Sequence, residues 1–590
     1  MNIKKDFLFF QNERDIQDLK QMLNESCALF AQRPAFWIKK YKGSEFLPIT
    51  YEMLKNDVDA LGTELLARGF SGSRIALIGS GCYEWITAYL AVVNGVGTVV
   101  PIDKDLEPEV MQNLINRAEC DAVFFSSDIG DKADSLRGIR LRVEMDYYGD
   151  RTEFGESLSS RPRAGAVHWK QLVESGEKLV RSGDHSYTDC SIDADVMSVL
   201  LFTSGTTGIP KGVMLSHRNI ALTIRNINRI FGVRREDINL SVLPIHHTYA
   251  CTCNLTFLYC GASTAYFEGL KYIIQNLNEV RATYFVLVPL IAEMLYDRIW
   301  KEARKAGKEK LLRRMISVNK KTRAIGLDAG RILVRTATEK FGGRLRTLVS
   351  AASAISPAVL RNFEDMGLHV IQAYGLTETS PFISATPVRS KDRYKKAGSV
   401  GLCIDDGEVK IVRPDEDGIG EICYRGPNVM LGYYKMPQET EAVMEDGWIN
   451  TGDLGFLDRD GWLYITGRKK NVIVTKNGEN IYPEEIESVV NNSPCVTDCM
   501  VYAAKKDDSE IVGIQIIPDL EYISDIRGEE LTSQQLQKIM KDLIADINEN
   551  LPSYKRIRSV VVRKEDFART TTQKIIRQKN ISDDEQMTDR

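Results

Sequence analysis

Histidine is scarce in this sequence, with six in 590 residues, and its eleven cysteines fall singly, with no paired spacing apart from Cys251-Thr-Cys253. A lone Cys-x-Cys without a second pair, with the histidines mostly remote, excludes a zinc module and a Cys-x-x-Cys redox site. The odd count fits reduced thiols of a cytosolic protein better than a disulfide framework. Excess charge of one sign is also lacking. A net charge of −4 gives no general attraction to nucleic acid, so no nucleic-acid partner is expected. Nor is there an unbroken apolar stretch long enough to span a bilayer. The nearest approach, Trp85 to Ile102, is interrupted by Asn94, Gly95, Gly97 and Pro101. It reads as a buried helix ending at Asn94-Gly95, then a core strand, Thr98 to Val100, running into a turn at Pro101. The opening MNIKKDFLFFQNERDIQDLKQ carries charge too early and too often for a secretory signal, and a cytoplasmic location is expected.

What is present is an ordinary globular composition, 43% apolar and 27% charged, in a chain too long for one core, so at least two domains are expected. Short β-rich runs (Ile75–Ile78, Ala122–Phe125, Val199–Phe202, Tyr284–Val288, Leu345–Ser350, Val370–Tyr374) alternate with helical patterns. That alternation predicts an α/β fold of packed sheets with covering helices. Residues 127–190 are polar and weakly patterned, and read as loops plus one helix, His168 to Lys178. Beyond a charge-dense turn ending in Gly467-Arg468-Lys469-Lys470 the pattern changes to a compact α+β order. It comprises strand Val472–Thr475, helix Pro483–Asn491, strands Asp498–Ala504 and Glu510–Pro518, helix Ser533–Asn550 and a last strand, Arg558–Val562.

The most informative stretch is LLFTSGTTGIPKGVMLSH, residues 200–217. An apolar strand runs into Thr203, Ser204, Gly205, Thr206, Thr207 and Gly208, all hydroxyl-bearing or glycine, followed by Pro210, Lys211 and Gly212. Small residues let the backbone close on an anion, and N–H groups, hydroxyls and an ammonium all donate to phosphate oxygens. A Walker A loop fails on spacing. Glycine should stand at 210 and 205 and a hydroxyl at 212, yet Pro210 and Gly212 occupy two of those places. A mobile Ser/Thr/Gly surface loop does not account for the apolar strand before it or the Pro-Lys-Gly exit. The reading is a nucleotide-phosphate loop of another type.

This wording resembles the AMP-forming adenylating superfamily of acyl-CoA synthetases, luciferases and peptide-synthetase adenylation domains. The resemblance continues in order through LPIHHTYA (243–250), VSAASAISP (349–357), AYGLTETSP (373–381), GEICYRGPNVMLGYY (420–434), WINTGDLGFLDRDGWLYITGRKKNVIV (448–474), NGENIYPEEIE (477–487) and TTTQKIIR (570–577). It implies a large N-terminal domain, 1–467, that binds nucleotide and acyl group, and a small mobile lid, 468–590, pivoting near Lys470. It further implies ATP, Mg²⁺ and CoA as cofactors. By that resemblance Thr203 to Gly208 and Lys211 hold the β- and γ-phosphates, Thr377 contacts phosphate, and Glu378 ligates magnesium. Tyr374 stacks on adenine opposite Ala351 to Ala354, a wall that includes Ser353 and departs from the family's usual glycine–alanine–proline wording. Asp453 accepts from the ribose hydroxyls and Arg468 donates to ribose or phosphate. Lys574 reaches the acid carboxylate and the α-phosphate, with Gln573 before it where glycine is usual. His247 gates the acid entrance, while His246 is read as structural. Gly478, in Asn477-Gly478-Glu479-Asn480, lines the pantetheine tunnel.

LPIHHTYA lacks the aspartate with which peptide-synthetase domains pair an amino group, so an amino-acid substrate is disfavoured. Segment 301–347 looks like the extra helical segment of long-chain acyl-CoA synthetases. It carries fifteen Lys/Arg against four Asp/Glu, with Leu311, Leu312, Met315 and Ile316 at roughly helical spacing. A basic amphipathic helix of this kind can lie on anionic lipid, and a solvated insertion is the alternative. The expectation is a ligase for a medium-to-long-chain fatty acid, with peripheral contact at the inner membrane face through 301–347. CoA is the expected acceptor, an acyl carrier protein is the alternative acceptor, and an aryl or other carboxylic acid is the alternative substrate. A binding protein that keeps the fold without activity is the rival class. The joint presence of Lys211, Glu378, Asp453, Arg468 and Lys574 speaks against it.

Overall fold

In the computed structural model, which describes residues 13–145, 163–203, 210–324, 338–353, 355–474, 479–506, 509–527, 531–569 and 575–581, all six apolar runs are strands. They are Ser73–Ile78, Ala122–Ser126, Met197–Thr203, Tyr284–Leu287, Thr347–Ser350 and His369–Tyr374. The architecture is α/β. The chain divides into two compact units, Met1–Val409 with Tyr424–Ile449, and Lys410–Cys423 with Asn450–Arg590.

Among the described residues, the large unit is built on two sheets of nine and eight strands. One has a parallel centre in the order His369–Tyr374, Thr347–Ser350, Tyr284–Leu287, Ile238–Ser241, Ser263–Tyr266 and Pro34–Lys39. The other runs Gly432–Tyr433, Lys211–Ser216, Met197–Thr203, Gly97–Ile102, Ser73–Ile78, Ala122–Ser126, Leu141–Met145 and Val167–His168. Their inner strands are buried on both faces, which is why they read as continuous apolar runs rather than as alternation. Helix Thr248–Tyr259 is buried on eleven of its twelve residues, so it lies in the interior rather than at a surface.

The run Trp85 to Ile102 is interior. Helix Tyr83–Ala91, a π-type turn Val92–Val96 and strand Gly97–Ile102 account for it. No helix of the described residues is long and apolar enough to cross a membrane. Pro101 corrects the expectation of a turn: it stays in the strand, in register with Leu77. Its fixed φ suits extended chain, and the register with Met197–Thr203 falls two residues earlier, at Val99↔Val199, so the missing N–H is tolerated. A second correction concerns 127–190. Besides helix Trp169–Arg181, the segment holds the short helix Gly130–Asp134 and a buried strand, Leu141–Met145. Arg142 and Glu144 hide that strand from a hydrophobic pattern, but Glu144 is buried and accepts from the Arg163 backbone N–H at 3.0 Å.

In the small unit, strands Val496–Lys506 and Ser509–Pro518 pair antiparallel and Ser559–Val562 adds in parallel to the second. Ile486 and Val490 of helix Pro483–Val490, and Met540 and Ile544 of helix Ser533–Glu549, share a core with Val501, Ile514 and Ile516 of this sheet. All eleven cysteines are free.

Helix packing in the large unit gives one sharp test. A Cβ on Gly176, in helix Trp169–Arg181, would stand 1.9 Å from the Ala60 carbonyl oxygen of helix Tyr51–Ala67. An ordinary helical Gly→Ala gains about 0.5–1 kcal/mol. Here the contact is with backbone, and overpacking of this kind costs about 1–3 kcal/mol. Gly176→Ala is therefore expected to lower the thermal midpoint, and a raised midpoint in a melting scan would show that the helices separate freely.

Candidate functional site

Strand Met197–Thr203 turns back antiparallel into Lys211–Ser216, with Thr203 opposite Lys211 and Phe202 opposite Gly212. The two stems of the Ser/Thr/Gly loop are therefore fixed by a ladder. Ser204, Gly205, Thr206, Thr207 and Gly208 lie outside the described residues. On the far side of Lys211–Ser216 runs the two-residue strand Gly432–Tyr433, with Gly432 opposite Met214 and Tyr433 opposite Val213. The Tyr434 N–H donates to the Gly212 carbonyl at 2.7 Å, and the Lys211 ammonium sits 4.8 Å over the Tyr433 ring.

In the other sheet of this unit, His369–Tyr374 leads through Gly375 into the 3₁₀ turn Thr377–Thr379. Thr377 and Glu378 are half-buried there. The Tyr433 hydroxyl donates to Glu378 Oε1 at 2.9 Å, and the Met430 N–H donates to the Glu378 carbonyl at 2.8 Å. The fold thus brings Lys211, Glu378 and Tyr433, from three separate motifs, into one cluster. Burial, and after it the Glu378 carboxylate, raise the pKa of the Tyr433 phenol above its ordinary value, so it stays a donor to that carboxylate.

Asn428, fully buried, ties this cluster together. Its amide donates to the Thr379 carbonyl at 2.6 Å and the Phe382 carbonyl at 2.8 Å, and its side-chain oxygen accepts from the Tyr424 hydroxyl at 2.6 Å. The Ser380 hydroxyl donates back to the Asn428 carbonyl at 2.8 Å. Asn219, in helix His217–Phe231, donates to the Pro427 and Val429 carbonyls at 2.8 and 3.0 Å. Tyr433, Asn428 and Asn219 were missed in the sequence. The first two stand inside GEICYRGPNVMLGYY, and the usable signal was a polar Asn between apolar neighbours with nothing local to bond.

Tyr374 is buried at the end of its strand. Ser350 is in register with Gln372, so Ser353 and Tyr374 leave the same end of adjacent parallel strands, with Ala351 buried and Ala352 and Ser353 exposed. Ala352 has φ +75°, a left-handed conformation strained for any residue with a Cβ, while Ala354 lies outside the described residues. His247 caps helix Thr248–Tyr259 without a capping side-chain bond, its ring 4.1 Å from that of His246. Burial pushes the His246 imidazole down to about 4, and its Nε2 stands 3.7 Å from Asp103 Oδ2, so it is neutral at pH 7.

In the small unit, Asp453 and Arg468 face one another across strands Trp448–Leu457 and Leu463–Arg468 and form an ion pair at 2.7 Å, with Asp453 buried. Partial desolvation, then the neighbouring Arg468 and Arg577 cations, lower the pKa of the Lys470 ammonium. Gly478 and Lys574 lie outside the described residues. Around the latter, Arg569 and Ile575 form a bridge, and Arg577 donates to Glu487 at 2.8 Å and to the Val501 carbonyl at 2.6 Å. Buried Asn580 bonds both the Ala568 and Ile576 carbonyls, at 3.1 and 2.8 Å.

A hairpin whose returning strand begins at Lys211, a carboxylate turn at a strand end and a small unit with a buried Asp453 paired to Arg468 fit a nucleotide-binding enzyme of the adenylating type. The family model described as AMP-binding enzyme matches residues 23–434, and that for the AMP-binding enzyme C-terminal domain matches 470–587. The chain belongs to the AMP-binding enzyme family. It is 28% identical to rat long-chain-fatty-acid–CoA ligase 5 over 94% of this chain and 84% of the relative. It is 29% identical to peroxisomal long chain acyl-CoA synthetase 6 of Arabidopsis thaliana over 78% of this chain and 67% of the relative. Its fold matches the Bacillus subtilis o-succinylbenzoate CoA synthetase bound to its acyl-adenylate (TM-score 0.70, 20% identity, covering 95% and 97% of the two chains). It also matches an anthranilate CoA ligase bound to anthranoyl-AMP (TM-score 0.74, 20% identity, covering 97% and 98%).

Removing the Asn428 amide strands two buried carbonyls and the Tyr424 hydroxyl. Asn428→Ala is expected to destabilise the protein by about 2–4 kcal/mol, several buried partners each losing about 1–3 kcal/mol less what relaxation recovers. Chemical denaturation measures this. A loss under about 0.5 kcal/mol, the scale of an ordinary surface substitution, would mean the turn at 377–382 is held by other contacts.

Proposed function

We propose that the protein is an ATP-dependent, AMP-forming acid–CoA ligase for a medium-to-long-chain fatty acid. The convergence of Lys211 and Glu378 on Tyr433 carries the reading, because activating a carboxylate against the α-phosphate requires positive charge and a metal ligand at one place. In this reading Thr203, the loop to Gly208 and Lys211 hold the β- and γ-phosphates. Tyr374 and Ser353 flank the adenine, Thr377 contacts phosphate, and Asp453 and Arg468 exchange part of their mutual pairing for the ribose. Glu378 suits Mg²⁺: its carboxylate is half-exposed and oriented through one oxygen, and hard cations of this kind are held by one or two carboxylates plus phosphate oxygens. When bound, the ion offsets phosphate charge. Lys574, on the lid 468–590 pivoting near Lys470, reaches the acid and the α-phosphate. His247 lies at the acid entrance, and Gly478 lines the path of CoA.

The acid assignment rests on the long-chain relatives; a site that takes the acyl chain out of water would gain about 0.8 kcal/mol for each methylene it buries. Pyrophosphate release measured from acetate to oleate, with and without CoA, is expected to show kcat/KM rising from hexanoate to at least laurate, with thioester formed only when CoA is present. Lys574→Ala should cut acyl-adenylate formation by about 10²–10³-fold, the scale for losing one preorganised electrostatic contact. An optimum at acetate or an aromatic acid overturns the fatty-acid reading. Product only with an acyl carrier protein moves the acceptor.

Segment 301–347 is proposed to rest on anionic lipid. Its apolar stripe needs correcting first. Leu312 is buried, and Met315 and Ile316 pack on the core, so those side chains serve the fold. The outer face keeps Leu311 at 50% and Val318 at 55% exposure, among exposed Lys310, Arg313, Arg314 and Lys321. Replacing Lys301, Arg304, Lys305, Lys308, Arg313 and Arg314 by Gln should weaken binding to phosphatidylserine vesicles while sparing activity on a short soluble acid. Unchanged vesicle binding reduces the segment to a solvated insertion.

A further inference from the structure

Lys211 and Glu378 present an electrostatic difficulty if they serve one nucleotide. An ammonium and a carboxylate in a small half-buried site attract each other, and a direct ion pair would withdraw both from phosphate and metal. In this structure the two are not within ion-pair distance of each other. Tyr433 takes both instead. Its ring face receives the Lys211 ammonium at 4.8 Å, a cation–π contact, and its hydroxyl donates to Glu378 Oε1 at 2.9 Å.

The side chain can do this because its backbone is immobilised. Tyr433 is in register with Val213, its N–H donates to Thr440 Oγ1 at 2.9 Å, and Gly432 before it has φ +137°, which only glycine adopts readily. The chain then leaves through the Tyr434 N–H bond to Gly212, next to Lys211. Tyr433 is thus bound into the same strand pair as the lysine, while its hydroxyl reaches across to a turn 55 residues away in sequence.

We infer that Tyr433 is a positioning residue that keeps Lys211 and Glu378 apart and aimed, so that the carboxylate is ready for the divalent cation and the ammonium for the triphosphate. The inference rests on the adenylating reading above, and the experiment separates the two. ATP-induced thermal protection is measured across a Mg²⁺ titration and in EDTA, for wild type, Tyr433→Phe, Tyr433→Leu, Glu378→Gln and the Tyr433→Phe/Glu378→Gln double variant.

Wild type without Mg²⁺-dependent protection overturns the adenylating reading itself. Given that protection, Tyr433→Phe keeps the ring and loses the donor. It should raise the Mg²⁺ concentration for half-maximal protection about tenfold, as for loss of one charge-assisted hydrogen bond, with protection in EDTA unchanged. An unmoved midpoint overturns the inference. Tyr433→Leu should in addition weaken protection in EDTA, because Lys211 can then close on Glu378, and unchanged protection there overturns the spacer role. A general loss of stability does not blur the result, since the decisive comparison is coupling. In the Glu378→Gln background, Tyr433→Phe should leave the Mg²⁺ midpoint where it is, and additive effects overturn action through Glu378.

Discussion

One buried amide organises the end of the large unit where Lys211, Glu378 and Tyr433 meet. Asn428 has two N–H groups and a side-chain carbonyl, and spends all of them: on the Thr379 and Phe382 carbonyls and on the Tyr424 hydroxyl. Its own backbone carbonyl takes the Ser380 hydroxyl. The segment before Tyr433 is thereby locked to the turn that carries Thr377 and Glu378, while Asn219 holds it from the helix that follows Lys211–Ser216. An apolar residue at 428 would leave several buried polar groups without partners, a cost larger than any packing gain. Gly375 belongs to the same constraint. A Cβ there would stand 1.7 Å from the Pro381 carbonyl oxygen, so the turn can fold back only over a bare Cα.

Given that lock, the charged groups fall into place by elementary electrostatics. Lys211 and Glu378 are kept as neighbours of one aromatic ring, and Asp453 and Arg468 are kept as each other's partner across a β-ladder. Neither device leaves a buried charge uncompensated, which would cost several kcal/mol. The two differ in what a ligand must displace. On the proposed reading, a ribose at Asp453 would have to share a carboxylate already bonded to Arg468, whereas a cation at Glu378 would meet a carboxylate oriented through a neutral phenol. The second arrangement is the more ready to bind, and it is the one that rests on the ladder-fixed Tyr433.

Much of this was legible in the residues. The apolar runs became strands because parallel sheets bury both faces, and the C-terminal elements that were read fall within about two residues at each end, although the helix Leu520–Arg527 between them was missed. Leu141–Met145 escaped because a buried Glu144 bonded to a distant backbone N–H looks polar in sequence. Pro101 was misplaced because proline at a turn is the stronger local rule, and only the register shows that its missing N–H is not needed. Of Leu311, Leu312, Met315 and Ile316, read at helical spacing, the last three form one stripe while Leu311 is exposed. Whether such a stripe faces lipid or core depends on what the tertiary fold lays beside it. Asn428 and Tyr433 illustrate the general limit of motif reading: their work is done on groups 49 and 55 residues away, and no local pattern encodes those partners.

The lysine motif at the C-terminal end follows the same logic of anchored flanks. Arg577 is fixed by Glu487 and the Val501 carbonyl, and Asn580 clamps Ala568 to Ile576. Arg569 and Ile575 form a bridge, and the Asp498 carboxylate takes the Arg569 guanidinium. A lysine assigned to transition-state charge must be presented from a stem whose own position is settled, because each dihedral left loose subtracts from the stabilisation it can give. The Lys-Ile-Ile-Arg wording is therefore as much structural as chemical. Its arginine is spent on the fold, which leaves the chemistry proposed here to Lys574.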